Sequence, residues 1–271
     1  MRDVARGWHA DGASIGLVPT MGALHAGHMS LVDRARQEND RVVVSVFVNP
    51  IQFGAGEDLG SYPRSPDRDL SMLRGAGVDA IYKPSLNDMY PPGSSTRVTV
   101  HGVADRLEGE ARPGHFEGVA TVVTKLVAAT SADRAYFGQK DAQQVAVVMR
   151  LASDLDLGVE IRVSPTVREA DGLALSSRNA YLSPAERKAA VCLSRALGLA
   201  AEAYGLGERD PGRLQAILTK AIGAEPLARL DYAELVHPAT FSTPGSLAVL
   251  AVRIGSTRLI DNHDLKLPYP G

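Results

Sequence analysis

The chain has 271 residues, 45% of them hydrophobic, with a formal net charge of -2 and a single cysteine. That length can bury a substantial core and fits one large domain or two modest ones. The near-neutral charge excludes the global basic field that dominates nucleic-acid binding, and a lone cysteine excludes an intrachain disulfide framework and fits a reducing compartment. The first twelve residues, MRDVARGWHADG, lack the apolar core of a signal peptide, and no apolar run is long enough to span a bilayer. The expectation is a soluble cytoplasmic enzyme with neither a nucleic-acid nor a membrane partner.

The first strand-like run is Ile15-Gly16-Leu17-Val18. It leads through PTMGALHAGH into the amphipathic stretch Met29-Ser30-Leu31-Val32-Asp33-Arg34-Ala35, so the order is strand, turn, helix. His25 and His28, three apart at the helix start, lie on one face. Gly27 between them lets a ligand approach the backbone closely. Helix N-termini attract anions, so the segment suggests a phosphate site. A solvated cap and half of a metal site remain open for the histidine pair alone. Zinc on a helix wants His at i and i+4 with further ligands; the single cysteine adds none, and no metal site is expected.

Further strand-like runs follow at 41–48 (RVVVSVFV), 78–82, 135–137 and 159–163, with helical stretches between them. Continuous β-branched runs indicate strands buried on both faces of a parallel sheet. The alternation predicts a doubly wound α/β domain with ligands at the carboxyl ends of the strands. Asn49 and Gln52 fall at one such end, and Gly138-Gln139-Lys140-Asp141 at another. There is no Walker A pattern; GAGEDLG at 54–60 has the wrong spacing for a dinucleotide fingerprint and reads as a flexible loop. Residues 54–65, punctuated by Gly and Pro, are a candidate lid.

A boundary falls within 166–183. Ser183-Pro184-Ala185-Glu186 is a capping box with Pro at the first helical position, predicted to open one long Ala/Leu-rich helix in which Cys192 is a small buried hydrophobe. Beyond the Gly/Pro-rich stretch 207–212 comes another helix. Strands at 247–252 and 257–260 then flank Gly255-Ser256 as a hairpin. The C-terminal third thus reads as a small α+β domain.

Two later segments carry chemistry. Gly138-Gln139-Lys140-Asp141 offers a close-approach glycine, a compact cation for phosphate, and a carboxylate for Mg²⁺ or ribose; an exposed turn with a charged pair reads equally well. Leu175-Ser176-Ser177-Arg178-Asn179 sets two hydroxyls beside a guanidinium, suited to a triphosphate whose charge rises as pyrophosphate leaves. A solvated linker is the plain alternative.

Taken in order, PTMGALHAGHMSLV, FVNPIQF, YPRSP, RPGHFEGV, FGQKDAQQ, READGLALSSRN and RLIDN span nearly the whole chain. With these motifs the sequence resembles the pantothenate synthetase family of nucleotidyltransferase-type ligases. The H-x-G-H element by itself marks only a superfamily shared with class I aminoacyl-tRNA synthetases and cytidylyltransferases, so another adenylyl- or cytidylyltransferase of that type is the alternative.

The resemblance implies a Rossmann-like nucleotidyltransferase domain, residues 1–167, binding ATP and pantoate. Residues 168–271 would form an α+β lid domain carrying the SSRN motif at its start. It implies ATP as co-substrate, with Mg²⁺ carried on its phosphates. (R)-Pantoate would attack the α-phosphate to give pantoyl adenylate and pyrophosphate; β-alanine would then give pantothenate and AMP. Met21, Gly22, Ala23, Leu24, His25, Ala26, Gly27 and His28 would line the ATP site, completed by Gly138, Gln139, Lys140, Asp141, Val167, Leu175, Ser176, Ser177 and Arg178. The charges that offset repulsion and stabilise the transition state would be His25, His28, Lys140 and Arg178, with His28 as the catalytic acid or charge stabiliser. Gln52 and Gln144 would hold pantoate, and Asn49, Tyr62 and Arg112 the β-alanine end or the closing lid. A homodimer is implied as well.

Three departures from the family pattern stand out. Gln139 replaces the more frequent Glu. Arg68 lies between Asp67 and Asp69 where some members carry another Asp, which argues against a metal there. The short N-terminus points to a trimmed helix before the first strand.

Overall fold

The computed structural model describes residues 1–270. The chain divides into two compact units, Met1–Gly138 with Val147–Pro165, and Gln139–Ala146 with Thr166–Gly271.

In the first unit a nine-residue helix, α1 (Arg2–Ala10), precedes the first strand. Then come β1 (Ile15–Thr20), α2 (Ala26–Glu38), β2 (Arg41–Val46), α3 (Pro66–Gly75), β3 (Ala80–Tyr82), α4 (Leu86–Met89), α5 (Glu108–Ala111), α6 (His115–Thr130) and β4 (Arg134–Gly138). The helix α7 (Ala142–Asp154) begins in the second unit, and β5 (Glu160–Ser164) closes the sheet. The five strands are parallel in the order β3-β2-β1-β4-β5. The expected doubly wound sheet is therefore present. β1 and β2 are interior strands of it, and Val18, Val42 and Val44 pack with Val32, Leu73 and Tyr136 into one core cluster. β2 stops at Val46, two residues short of the apolar run. Pro50, which has no N–H to donate, opens a tight helical turn, Pro50–Gln52. The strand order reverses between β1 and β4, and at such a switch point a crevice opens outside the carboxyl ends of the strands.

The second unit carries α8 (Pro184–Ala189), α9 (Cys192–Gly205), α10 (Pro211–Gly223) and an antiparallel sheet of β6 (Ala228–Val236), β7 (Leu247–Ile254) and β8 (Thr257–Asp264). The hairpin at Gly255-Ser256 and the Ser183 capping box form as read from the sequence. The single long helix does not. It breaks after Ala189, where Val191 and Leu193 donate to carbonyls three residues back, Lys188 and Ala190, a tightened turn between α8 and α9. Neither Gly nor Pro marks that step, so the Ala/Leu pattern reads straight through it. Leu193, Leu197, Leu218, Ile222, Leu250 and Val252 fill the core of this unit, and Cys192 is buried among them. Among the described residues no helix is long and apolar enough to cross a membrane.

Candidate active site

The loop from β1 to α2 emerges at the switch point. Its path is set by Thr20, whose hydroxyl donates to the Ser45 carbonyl at 2.7 Å, and by Gly22 at φ 83°, a left-handed conformation that costs glycine nothing. The next residue, Ala23, also has positive φ. The turn points the Ala23 and Leu24 N–H groups at one carboxylate: Asp69 on α3 accepts both, at 2.9 and 2.8 Å. Those two donors are therefore committed within the protein, and any nucleotide contact of Ala23 and Leu24 runs through other atoms. Asp69 is only 3% exposed, whereas the sequence places it in a charged patch beside Asp67 and Arg68 and gives it no such task.

His25 and His28 do come together. His25 is the N-cap of α2, and its Nδ1 accepts from Gly27 N at 3.2 Å. The His28 Nδ1 accepts from His25 N at 3.4 Å, so the two rings form a reciprocal capping box with centroids 4.1 Å apart. An accepting Nδ1 places the proton of each neutral ring on Nε2. The motif is thus both a helix cap and a pair of oriented N–H donors at a helix N-terminus, where anions are stabilised.

After β2, Asn49 and Gln52 form a buried amide pair. Asn49 Nδ2 donates to Gln52 Oε1 at 3.0 Å and to the Gly118 carbonyl at 3.0 Å, and its Oδ1 accepts from Tyr90 at 2.8 Å. Both Nδ2 hydrogens of Asn49 are thus taken within the protein, and one of them orients Gln52. Gln52 Nε2 reaches Met21 Sδ at 3.3 Å, which links this pair to the ATP-binding segment expected at 21–28. Burial pushes the Tyr90 phenol up to about 12, keeping it a donor to Asn49.

His115, at the start of α6, lies beneath Gln52 with Nδ1 2.9 Å from the Gln52 carbonyl. That carbonyl can only accept, so Nδ1 carries the proton and Nε2 accepts from Arg112 Nη1, 3.1 Å away. Burial first, then the Arg112 guanidinium, lowers the His115 pKa to about 4. Arg112 itself is bidentate to Glu57, at 2.8 and 2.7 Å, and so fastens the 54–65 segment. Tyr62, also buried, packs edge-on to Phe53 with centroids 5.7 Å apart. Arg112 and Tyr62 therefore anchor the candidate lid. Tyr90, Glu57 and His115 carry no signal of their own in the sequence, although His115 sits in the motif RPGHFEGV.

In the second unit Lys140 and Asp141 pair at 3.3 Å in the tight turn Gln139–Asp141, and Gln144 follows in the first turn of α7. Val167 accepts from Leu175 N at 3.0 Å, closing a loop that delivers Ser176 as the cap of a short helical turn, Ser177–Tyr181. Ser176 Oγ accepts from Arg178 N at 3.3 Å. Asn179 holds this turn through the Ala174 carbonyl and Glu169, and Arg187 bridges Glu169 and Asp171. Among the described residues no group of three or more His, Cys, Asp or Glu side chains is gathered to hold a metal ion.

A parallel sheet of this order, with a histidine-capped helix at its switch point, defines a nucleotide-binding α/β fold of the H-x-G-H type. A sequence model of the pantoate-beta-alanine ligase family matches residues 1–264. The pantothenate synthetase of Roseiflexus sp. strain RS-1 is 57% identical over 252 residues, 91% of each chain. The crystal structure of pantothenate synthetase from Thermus thermophilus is 49% identical, covers 93% of both chains and superposes with a TM-score of 0.90. That of pantoate-beta-alanine ligase from Francisella tularensis, complexed with beta-gamma ATP and beta-alanine, is 35% identical over 97% of both chains with a TM-score of 0.77. The chain belongs to the pantoate-beta-alanine ligase family, enzymes that join pantoate to β-alanine.

Proposed function

We propose that the chain performs this ligation in two steps on ATP, through the residues described above. The pantoate carboxylate attacks the α-phosphorus, the bond to pyrophosphate breaks, and pantoyl adenylate forms. The β-alanine amine then attacks the acyl carbon, loses a proton, and AMP leaves. Holding two reactants aligned can supply about 7–11 kcal/mol of the first barrier, and no covalent nucleophile of the enzyme is needed.

The observation that carries the reading is the reciprocal histidine cap at the switch point of a chain in this family. We assign the Nε2–H of His25 and His28 to the ATP phosphates, with His28 stabilising charge as it builds. Lys140, Arg178 and the Ser176 and Ser177 hydroxyls serve the departing pyrophosphate. Mg²⁺ would come with the ATP phosphates and would offset their charge as pyrophosphate leaves. Gln52 and Gln144 bind pantoate, whose hydroxyls and carboxylate suit amides that both donate and accept. Arg112 and the 54–65 segment exclude water, which a mixed anhydride requires. A cytoplasmic homodimer completes the assignment.

The test is exchange of labelled pyrophosphate into ATP that depends on pantoate and needs no β-alanine. Exchange is expected. Its absence from pure, folded protein, or its presence without pantoate, overturns the reading; the latter points to another transferase of the H-x-G-H type.

A further inference from the structure

The motif RLIDN, near the end of the chain, matches the family but carries no role in the assignments above. Its last two residues are buried polar side chains in the middle of a sheet edge strand: Asp261 is 2% and Asn262 5% exposed. Successive residues of a strand point to opposite faces, so the two serve different neighbours.

Asn262 takes the Gln139-Lys140 turn. Its Nδ2 donates to the Gln139 and Lys140 carbonyls, both at 2.9 Å, and its Oδ1 accepts from Gln139 Nε2 at 3.2 Å. A carboxamide is the side chain that offers two donors and an acceptor from one short stem. A carboxylate there would face two carbonyl oxygens, and an aliphatic residue would leave both without these donors. This contact also gives the Gln139 side chain a partner: its amide donates to Asn262.

Asp261 takes the loop after β5. Its carboxylate is bidentate to Arg168, at 2.6 and 3.0 Å, and Arg168 Nη1 also donates to the Gly172 carbonyl at 3.0 Å. Arg168 pairs with Ala174 in an isolated bridge, one residue before Leu175-Ser176-Ser177-Arg178. The Asp261 Oδ1 further accepts from Asn262 N at 2.8 Å, which locks the two residues to each other. A buried ion pair is weak grounds for stability, because well-packed apolar residues often do as well. Its value here is geometric.

We propose that Asp261 and Asn262 on β8 are positioning residues for the first reaction step. They hold, from one strand, the turn that presents Lys140 and the loop that presents Ser176 to Arg178. The inference rests on the ATP reading above. All of its contacts lie within the second unit.

The experiment is a double-mutant cycle of Asn262→Ala with Lys140→Ala, read by pantoate-dependent ATP–pyrophosphate exchange on the full-length enzyme. Asn262→Ala alone lowers kcat/KM for ATP roughly tenfold or more while leaving KM for pantoate within about twofold. In the Lys140→Ala background the same change costs less than about twofold, because residues acting as one unit are non-additive. Additive losses, or equal losses toward ATP and pantoate, overturn the inference, since a merely structural role predicts those. If Asn262→Ala does not fold, Asn262→Ser, whose hydroxyl keeps one donor for those carbonyls, goes through the same cycle. Exchange by the unaltered enzyme together with an additive cycle sinks the positioning role alone. No exchange by the unaltered enzyme sinks the functional reading instead, and the cycle is then judged on affinity for a non-hydrolysable ATP analogue by calorimetry.

Discussion

At the scale of single residues, the two histidines raise the sharpest question, because the helix cap and the proposed phosphate donor use the same ring. The two uses divide by atom: Nδ1 caps, which leaves Nε2 as the donor of the neutral ring. His28→Ala removes both. The cap is worth about 1 kcal/mol, whereas one lost preorganised donor slows the chemical step by about 10²–10³. Rapid-quench measurement of pantoyl adenylate is expected to show the larger loss, with the melting temperature nearly unchanged. An adenylation rate close to normal would reduce His28 to a cap. Gln52 invites a parallel test. Its side chain is oriented by Asn49 and Met21, and Gln52→Ala should raise KM for pantoate well above any change in KM for ATP. Equal effects on the two would move Gln52 out of the acid pocket.

At the scale of elements, the site depends on how closely helices approach the strand ends. A Cβ on Gly118 of α6 would lie 2.5 Å from Gln52 Cα and 2.6 Å from both Gln52 N and the Ile51 carbonyl oxygen. Backbone atoms cannot step aside as a side-chain tip can. Gly118→Ala therefore shifts the Pro50–Gln52 turn, costs about 1–3 kcal/mol of stability as overpacking does, and weakens pantoate binding before ATP binding; a variant with native stability and native KM for pantoate would contradict this. The strands were legible in the sequence because buried parallel strands print continuous β-branched runs, as at Val42-Val43-Val44. The hairpin at Gly255-Ser256 and the Ser183 capping box were legible because turn and cap chemistry is local. What escaped is non-local. Asp69 meets Ala23 across 46 residues of chain, and Asn262 meets Gln139 across 123. A contact of that kind leaves no period or spacing to read. The motif strings led to His25 and His28, while the two amide donors of Asn49 are taken by Gln52 and Gly118, which residue type alone could not tell.

At the scale of the whole molecule, the same network that orients Gln52 makes stability depend on pH. His115 is buried and neutral in the folded state, with its pKa lowered from 6.5 to about 4 by burial and by Arg112, against smaller opposing effects of the Gln52 carbonyl, Glu108 and Glu57. In the unfolded chain it titrates near its ordinary value, so between those two points the unfolded state binds the extra proton. Stability from this group is fully present above about pH 6.5 and drains away as pH falls toward 4. Integrated over that interval the loss is about 3 kcal/mol. It comes at the residue that joins α6, the Gln52 turn and, through Arg112 and Glu57, the 54–65 segment. His115→Gln retains an amide donor for the Gln52 carbonyl but does not titrate. Urea unfolding at pH 7 and at pH 4.5 should therefore show the natural enzyme losing more stability than the variant, their difference narrowing by an amount of that order as the pH drops. Parallel pH dependences for the two proteins would mean that His115 titrates alike in the folded and unfolded states, and that Arg112 does not donate to its ring.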